Sequence, residues 1–361
     1  MPTALPRYVL IGCAARVAEA HITALAELPV RLVGASDIDT ERGRLRAEAI
    51  GCPFFVDHRT MLAALTPDVA VIATPPPHHA PIAIDCLQAG AHVLVEKPLA
   101  DEVGQGDRAI AAARAAGRLL GVNFPHRFRP AVEYARALMM RGELGRIMRV
   151  LSVDPWLRGA DYYRSAPWRA TWKGEGGGVL LNQAPHALDV LCHLVGSPAR
   201  VWGMTRVRLH DVEAEDSAQA MLEYQGGALG YLVASTAEAG TDRHLEIVGD
   251  RAALKMTGDS VEVRRFERPL YDHVASADRA PIEQHESRML ASAPRGFLAV
   301  HRDFLAALSE GRPPRCEGAE ALMSLELANA ITLSSFQEKP VSLPLDRSAY
   351  ACLLAQLRSS P

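Results

Sequence analysis

The chain has 361 residues, which is enough for two domains that each bury a core of their own. Hydrophobic residues make up 48% of it and charged residues 22%, as in ordinary globular proteins, and a net charge of −3 gives no reason to expect nucleic acid or a membrane as a partner. The six cysteines lack zinc-ligand spacing and the N-terminus lacks the features of a signal peptide, so we expect reduced thiols and a cytoplasmic protein.

The first third of the chain alternates short apolar runs with alanine-rich amphipathic segments. The apolar runs predict buried parallel strands at Tyr8–Ile11, Val30–Ala35, Val69–Ala73, His92–Val95 and Leu119–Asn123. The segments between them predict helices at Ala18–Glu27, Thr40–Ile50, Ala80–Ala89 and Gly106–Ala116. This alternation favours right-handed crossovers and a doubly wound parallel sheet, which we place at residues 1–123.

From residue 124 onwards, the pattern changes to the alternation of a sheet with one wet face. We predict mostly antiparallel strands at Arg146–Val153, Ala199–Val207, Ser217–Tyr224, Gly230–Ser235, His244–Gly249, Ala253–Met256 and Val261–Phe266. Flanking helices are predicted at Pro130–Arg141, Pro185–Leu194, Gly296–Ser309 and Gly318–Ser335. The polar stretch Tyr271–Ser292 lacks clear periodicity and is predicted to be a long excursion or a mobile loop. These elements make up a second domain at residues 124–361.

A glycine turn follows the first predicted strand, where a dinucleotide-binding fingerprint belongs. Such a fingerprint provides a tight turn and backbone N–H groups at a helix N-terminus for the pyrophosphate. Only its first glycine, Gly12, is present, because Ala14 and Val17 occupy the other two positions. The turn therefore fits a cofactor site or an ordinary strand-to-helix connection equally well.

Asp37 ends the second predicted strand, 25 residues after Gly12, where an acid can hydrogen-bond a ribose diol. A carboxylate there repels a 2′-phosphate, so the sequence favours NAD over NADP. The alternative is a helix N-cap, although Asp39 is available for that role.

Two further segments lie at the same predicted edge of the sheet. Thr74 and Pro75 end one strand, and His79 begins the next helix; we interpret the pair His78-His79 as a solvated helix start rather than part of a metal site. Lys97 ends another strand in Glu96-Lys97-Pro98. A lysine at the carboxyl end of a buried strand is poorly solvated, so its pKa can fall towards a catalytically useful range, although an exposed lysine is the common alternative.

The second half of the chain carries a histidine that can act as a base. Gly176-Gly177-Gly178 precedes a predicted helix with His186 and Asp189 three positions apart on one face, so Asp189 can orient the imidazole or pair locally with His193. The glycines let backbone approach a ligand closely, or serve a flexible loop. His186, Asp189 and His193 share a face as metal ligands would, but no further ligand cluster accompanies them, so we predict no metal.

This array of motifs, with the ending Pro340–Leu345, resembles the glucose–fructose oxidoreductase, inositol dehydrogenase and rhizopine-catabolism (Gfo/Idh/MocA) family over nearly the whole chain. The resemblance implies an N-terminal Rossmann domain and a C-terminal α/β domain with a large open, mostly antiparallel sheet. It also implies hydride transfer between a nicotinamide and a secondary alcohol of a sugar, glycoside or cyclitol, and a homodimer or homotetramer formed through the sheet.

Carried over residue by residue, the resemblance makes Lys97 the active-site lysine, His186 the catalytic histidine and Asp189 its companion acid. Asn182 stands where many members have an aspartate, and an amide cannot take up a proton in its place; Asn182 would supply a neutral hydrogen bond. Asn182-Gln183, together with Trp168-Arg169 and Trp172, is similar to a branch that acts on sugar nucleotides and glycosides.

Ligand contacts follow from the same residues. We predict cofactor contacts at Gly12, Ala14, Ala15, Arg16, Val17, Asp37, Thr74, Pro75, His79, Glu96, Lys97 and Arg169. We predict contacts with a sugar-like substrate at Asn123, Arg127, Tyr163 and Trp168, since aromatic faces stack on sugar rings, although the tryptophans also suit a core position. Two other functions stay open: a redox-assisted lyase or hydrolase with tightly held NAD, and a non-catalytic nucleotide-binding paralogue.

Overall fold

The computed structural model describes residues 5–275, 283–290 and 296–359, which form two compact units. The first unit contains the described residues up to Pro125 and those from Gly296 to Leu322. The second contains the described residues from His126 to 290 and from Met323 to Ser359. The division therefore differs from the single boundary predicted at residue 123, because residues 296–322 belong with the N-terminal unit.

The first unit is built on a six-stranded parallel sheet with the order β3-β2-β1-β4-β5-β6. Its strands are β1 (Arg7–Ile11), β2 (Arg31–Ser36), β3 (Phe54–Phe55), β4 (Val69–Ile72), β5 (His92–Val95) and β6 (Leu120–Val122). Its first helices are α1 (Ala18–Ala26), α2 (Thr40–Ile50), α3 (His58–Leu65), α4 (His79–Gln88) and α5 (Val103–Ala116). The predicted doubly wound sheet is confirmed.

The second unit is built on a nine-stranded sheet with the order β14-β13-β12-β11-β7-β10-β9-β8-β15, antiparallel except for the pair β7 and β10. Its strands are β7 (Ile147–Pro155), β8 (Arg200–Arg206), β9 (Ser217–Glu223), β10 (Leu229–Ser235), β11 (His244–Gly249), β12 (Ala252–Thr257), β13 (Ser260–Phe266), β14 (Glu283–Met289) and β15 (Val341–Ser342). The remaining helices of the chain are α6 (Pro130–Met140), α7 (Ala160–Arg164), α8 (Val179–Asn182), α9 (Pro185–Val195), α10 (Leu270–Val274), α11 (Gly296–Glu310), α12 (Gly318–Gln337) and α13 (Arg347–Ser359). The predicted mostly antiparallel sheet is confirmed.

The strands of the first unit could be predicted from the sequence because most of their residues are buried. Strand β4 and all of β1 and β5 except their first residues are buried, because helices cover both faces of the sheet. Helix α11 belongs to this unit because it packs against α1, which is why a single boundary fails.

The stretch Tyr271–Ser292 contains structure that its sequence did not indicate. Its described part includes the end of α10 and strand β14, so the prediction of an excursion or loop was wrong there; residues 276–282 and 291–292 lie outside the described residues. Strand β14 is an edge strand whose described side chains are mostly exposed, so no apolar alternation marks it. Ion pairing of Arg265 with Glu286 at 2.7 Å joins it to β13.

One face of the second sheet is apolar and exposed. Trp202 on β8, Met221 on β9 and Tyr231 on β10 pair across neighbouring strands, and all three are about half exposed. Met204 and Leu229 extend this exposed apolar face. Among the described residues, no helix is long and apolar enough to cross a membrane.

Candidate active site

Strand β5 delivers Glu96 and Lys97 to the carboxyl edge of the first sheet. Glu96 is buried: its Oε1 accepts a hydrogen bond from Asn123 Nδ2 (2.6 Å) and lies 3.0 Å from His21 Nε2, and its Oε2 accepts the backbone N–H of Lys97 (3.2 Å). Burial would raise the pKa of Glu96, but the hydrogen bond and electrostatic attraction of His21, the charge of Lys97 and the hydrogen bond from Asn123 outweigh it and keep the pKa below its ordinary value. Glu96 thus holds the lysine loop as a buried carboxylate.

His79 connects the loop after β4 with the lysine loop. Its two ring nitrogens each lie 2.6 Å from a carbonyl oxygen, one of Pro98 and one of Thr74. The interpretation of His79 as a solvated helix start was wrong, because the side chain is buried, and burial lowers its pKa. Its neighbour His78 is exposed.

The carboxylate of Asp37 fastens the glycine turn. Its Oδ2 accepts the N–H of Ala14 (2.7 Å), and its Oδ1 accepts the N–H of Asp39 (2.9 Å). Asp39 caps α2, so the alternative role considered for Asp37 belongs to its neighbour. Gly12 has a φ of 85°, and a Cβ there would lie 2.8 Å from the backbone of Ala73, so close packing of the two strand ends requires this glycine.

The other residues predicted to bind the cofactor lie in the same two loops. Ala15 donates its N–H to the carbonyl of Gly12 (3.1 Å), Val17 is half-buried before α1, and Arg16 is exposed. Pro75 is half-buried and precedes a short 3₁₀ turn. No described contact tests their predicted roles, which stay predictions.

Three buried polar atoms at this edge suit a bound dinucleotide. Ser36 Oγ, Thr74 Oγ1 and Asn123 Oδ1 are buried without a hydrogen-bond partner among the described residues. Ser36 ends β2, Thr74 follows β4 and Asn123 follows β6, so all three lie where the carboxyl ends of parallel strands meet. Because buried polar groups without partners are unfavourable, a ligand that supplies partners is expected here, and the residues fit NAD.

In the second unit, His186 lies at the start of α9 and lines a cavity of about 320 Å³. Its ring stacks on that of His126, with centroids 4.5 Å apart and an interplanar angle of 29°. The cavity is also lined by Asp154, Trp156 and Arg243. A volume of this size, with polar and aromatic walls, suits a sugar-sized ligand.

Asp154 is one of two acidic residues that line this cavity, together with Asp242. Burial raises its pKa to about 6, and the guanidinium of Arg243, 4.0 Å away, opposes that rise. Arg243 itself lies over the ring of Trp156, 4.2 Å from its centroid. The wall of the cavity therefore changes charge near neutral pH.

The amide of Asn182 is fixed by three neighbours. Its Nδ2 donates to Glu175 Oε1 (2.5 Å), and its Oδ1 accepts from the Tyr162 hydroxyl (2.5 Å) and from Gln183 Nε2 (2.8 Å). The Tyr162 oxygen in turn accepts from Arg169 Nη1 (2.7 Å). Burial raises the pKa of Tyr162, so its hydroxyl stays protonated and donates to Asn182 at neutral pH.

Arg158 and Arg169 each lie between two aromatic rings. The Arg158 guanidinium is 4.6 Å from the centroids of both Trp156 and Tyr162, and that of Arg169 is 4.4 Å from Tyr162 and 4.8 Å from Trp168. Cation–π attraction therefore fixes this segment before the triple glycine. The contacts predicted for Arg169 with cofactor and for Trp168 with substrate stay predictions.

Two other aromatic residues near this segment bear on the predictions of a core position and of a substrate contact. Trp172 is buried and packs edge-on against Phe336, as expected for a core tryptophan. Tyr163, predicted to bind substrate, has its hydroxyl 2.6 Å from Thr236 Oγ1 and its ring beside His210. Its substrate contact stays a prediction.

Asp189 pairs with Arg127 inside the second unit. Arg127 is only 1% exposed, and its Nε and Nη2 donate to both oxygens of Asp189 at 2.7–3.1 Å. Because Arg127 is buried in this pair, the structure does not support its predicted contact with substrate. The orientation of His186 by Asp189 stays a prediction. Among the described residues, no group of three His, Cys, Asp or Glu side chains is arranged to hold a metal ion.

Gly178, the last residue of the triple glycine, packs against protein backbone. A Cβ on Gly178 would lie 1.8 Å from the carbonyl oxygen of Glu215, which accepts the N–H of Val179 (2.7 Å). Glu215 is 4% exposed; its Oε1 accepts the N–H of Leu180 (3.1 Å), and burial raises its pKa to about 7. Of the two explanations for these glycines, close approach therefore applies at Gly178, and its partner is the backbone of Glu215, two residues before β9.

Sequence reasoning missed several residues of the site. His126, Asp154, Trp156 and Arg243 line the cavity with His186, and Tyr162 rather than Tyr163 contacts Asn182. His126 directly precedes the predicted Arg127, and Trp156 directly follows a strand, so position relative to an element was the available signal. No local pattern marks Arg243.

Comparison with known proteins gives family matches in both halves of the chain. Residues 6–124 match the model of the oxidoreductase family with an NAD-binding Rossmann fold, and residues 132–255 match the GFO/IDH/MocA C-terminal domain. The chain belongs to the Gfo/Idh/MocA family of oxidoreductases. Its first unit is the NAD-binding domain, so the predictions of family, NAD and an oxidoreductase are confirmed.

Individual relatives within this family cover most of the chain. The crystal structure of the WlbA dehydrogenase from Bordetella pertussis, in complex with NADH and UDP-GlcNAcA, is 29% identical, has a TM-score of 0.83, and covers 95% of this chain and 100% of that one. The myo-inositol 2-dehydrogenase of Thermotoga maritima is 25% identical over 86% of this chain and 91% of that protein. The D-apiose dehydrogenase of Paraburkholderia graminis is 25% identical over 92% and 88%.

Proposed function

We propose that this protein is an NAD-dependent dehydrogenase that transfers hydride between the nicotinamide and a secondary alcohol of a sugar, glycoside or cyclitol. The observation that carries the proposal is His186 in the wall of a sugar-sized cavity with polar and aromatic walls. The activities named for the myo-inositol and D-apiose relatives support the substrate class.

Each proposed residue has a distinct task. Ser36, Thr74 and Asn123 would hold NAD at the edge of the first sheet, where the cofactor would supply the hydride acceptor. His186 takes the hydroxyl proton, because an imidazole titrates near neutral pH. The ammonium group of Lys97 stabilises negative charge on the substrate oxygen.

Asn182 holds its position without exchanging a proton. Its two amide ends are already engaged by Glu175 and Tyr162, so its orientation is set before any substrate arrives. An amide in this place keeps the site neutral where an aspartate would add a negative charge. We therefore assign proton transfer to His186 with no carboxylate partner at position 182.

The direct test mixes the protein with NAD and a panel of sugars, glycosides and cyclitols and follows the absorbance of reduced nicotinamide. On a productive substrate, Lys97→Met and His186→Gln should each lower kcat by about a hundredfold or more. Lys173→Met and His193→Gln, which change the same residue types elsewhere, should leave kcat near wild type. Wild-type turnover by both site variants would refute the proposal.

The same assay separates the other reactions. Cleavage of a glycoside without added NAD and without accumulation of NADH would indicate a redox-assisted lyase or hydrolase. NAD binding without turnover on any substrate of the panel would indicate a non-catalytic paralogue.

We also propose that the protein forms a homodimer or homotetramer through the exposed apolar face of the second sheet. Trp202, Met221 and Tyr231 form a continuous apolar row there, and exposed patches of this kind mark association sites. Light scattering should give a multiple of the chain mass, and Trp202→Lys with Tyr231→Lys should reduce it to one chain. A wild-type mass of one chain at micromolar concentration would contradict this.

A cytoplasmic location is proposed as well. None of the six cysteines, all of which lie in the described residues, forms a disulfide, and four of them are buried, which suits a reducing compartment. Fractionation of cells that produce the protein tests the location, and recovery outside the cytoplasm would contradict it.

A further inference from the structure

A line of buried polar side chains runs behind the lysine loop of the first unit. His301 of α11 has its Nε2 2.9 Å from Nδ1 of His21 on α1, and His21 Nε2 lies 3.0 Å from Glu96 Oε1. Both histidines are 0% exposed, and they are 280 residues apart in the sequence. Glu96 then accepts the backbone N–H of Lys97, so the line ends at the reactive lysine.

The hydrogen-bond roles along this line follow from its ends. A carboxylate only accepts, so His21 Nε2 is the donor to Glu96. A neutral His21 then accepts at Nδ1, which makes His301 Nε2 the donor to it. This leaves His301 Nδ1 as a bare acceptor, and that atom is buried without a partner among the described residues.

The alternative, in which His21 is an imidazolium that donates to His301, is unfavourable. If His21 were an imidazolium, both its nitrogens would donate, and the proton of a neutral His301 would have to sit on Nδ1. That position would be a buried donor without an acceptor, which is more costly than an unused lone pair. Burial also lowers the pKa of His301 well below its ordinary value, which agrees with a neutral ring.

The surroundings of the line contain few charges. His301 comes from α11, as does Phe297, whose ring meets His21 edge-on at 5.0 Å. On the other side lie Glu96 and Lys97 after β5, Asn123 after β6, and the buried His79 of α4. Glu96 and Lys97 are the two groups in this set that carry a full charge at neutral pH.

We propose that His301 and His21 are positioning residues for Lys97: two neutral imidazoles, fixed in one tautomer, hold Glu96 in place as a carboxylate. The proposal rests on the function proposed for Lys97 but assigns a task to residues outside the ligand sites. Neither histidine touches a reacting atom. Their effect reaches the substrate through Glu96, which anchors the backbone of Lys97 and supplies its counter-charge.

Substitutions at position 301 can either remove the hydrogen-bond donor to His21 or keep it. His301→Leu deletes the donor to His21, whereas His301→Gln offers an amide N–H in its place. Phe304→Leu is the matched control, since it alters a buried side chain of the same helix that is not part of the line. All three are compared with wild type for thermal unfolding and for kcat and KM as functions of pH on a substrate of the panel.

For His301→Leu we expect kcat to fall roughly tenfold with little change in KM. Lys97 would be held less firmly, so its ammonium group would be displaced from the position that stabilises the transition state. The pH profile of kcat should change as well, because His21 loses the hydrogen-bond donor that fixes its tautomer. His301→Gln should recover most of the loss, and Phe304→Leu should lower only the unfolding temperature. Wild-type kcat and pH profile in His301→Leu would overturn the proposal.

A second measurement does not depend on turnover. Nitrogen-15 spectra of histidine-labelled wild-type protein at neutral pH should show two neutral rings that are both protonated at Nε2. His301→Leu, or His301→Gln if the leucine variant does not fold, assigns their signals. If no substrate turns over, the proposed function is wrong, but these spectra still show whether His21 and His301 are neutral and in the proposed tautomer. An imidazolium at His21, or the opposite tautomer at either ring, would overturn the proposal for these two residues.

Discussion

Replacing Glu215 with glutamine should stabilise the protein above neutral pH. The Glu215 carboxyl is buried, and its Oε2 has no hydrogen-bond partner in the part of the chain that the structure describes. Burial raises its pKa from 4.5 to about 7, and the nearby Glu175 acts in the same direction. Because the folded-state pKa exceeds the unfolded one, the stability contributed by the protonated carboxyl is fully present below pH 4.5 and is lost as the pH rises through 7.

The size of the effect follows from this difference in pKa. A rise from 4.5 to about 7 corresponds to about 3 kcal/mol of unfolding free energy lost by pH 8. At pH 5 the loss is about 1 kcal/mol or less, since the carboxyl is protonated in the folded state and only partly ionised in the unfolded chain. Glutamine cannot ionise, so Glu215→Gln should recover most of this difference at pH 8.

Urea unfolding of Glu215→Gln and wild type at pH 5 and pH 8 measures the prediction. Glu213→Gln is the control, because it removes the same charge from an exposed residue two positions earlier. The gain in unfolding free energy of Glu215→Gln should be larger at pH 8 than at pH 5 by about 2 kcal/mol. An equal gain at both pH values, or destabilisation at pH 8, would refute the reasoning from burial.

Three further predictions concern the site. Gly178→Ala should lower the unfolding free energy by about 3 kcal/mol or more, or prevent folding, because its Cβ would lie 1.8 Å from a carbonyl oxygen; Gly226→Ala, where a Cβ meets nothing within 4 Å, should have little effect in the same unfolding assay. Tyr162→Phe should lower kcat roughly tenfold by releasing the Asn182 amide, whereas Tyr134→Phe, which loses a bond to a carboxylate elsewhere, should not; equal kcat values would contradict this. Asp37→Ala should raise KM for NAD roughly tenfold and reduce the ratio of kcat/KM for NAD to that for NADP. Unchanged steady-state constants for both cofactors would contradict this prediction.

The sequence predicts those parts of the fold whose burial pattern is local. Strand β5 and helix α2 appear with their predicted ends, because an apolar run and a capped amphipathic segment carry their own signals. Strand β3 was missed since two residues form no pattern. Strand β14 was missed because its pairing relies on backbone bonds and ion pairs rather than on apolar alternation.

The candidate site shows the same limit. Lys97 and His186 stand in short motifs and were visible in the sequence. The contact of His21 with Glu96, which supports the lysine loop, was not visible, because the two residues are 75 positions apart and no periodicity links them. The close approach of Gly178 to Glu215 likewise joins residues from separate elements, so only coordinates distinguish it from a ligand-binding glycine.

Helix α11 has a consequence for how the chain is made. The strands of the parallel sheet leave the ribosome first, but the helix that packs on α1 is encoded after residue 295. The nascent N-terminal sheet therefore waits, with one flank of α1 uncovered, until the residues after 295 have been synthesised. Premature termination between residues 126 and 295 yields a product that lacks this cover, a substrate for chaperones and proteases rather than a smaller working domain.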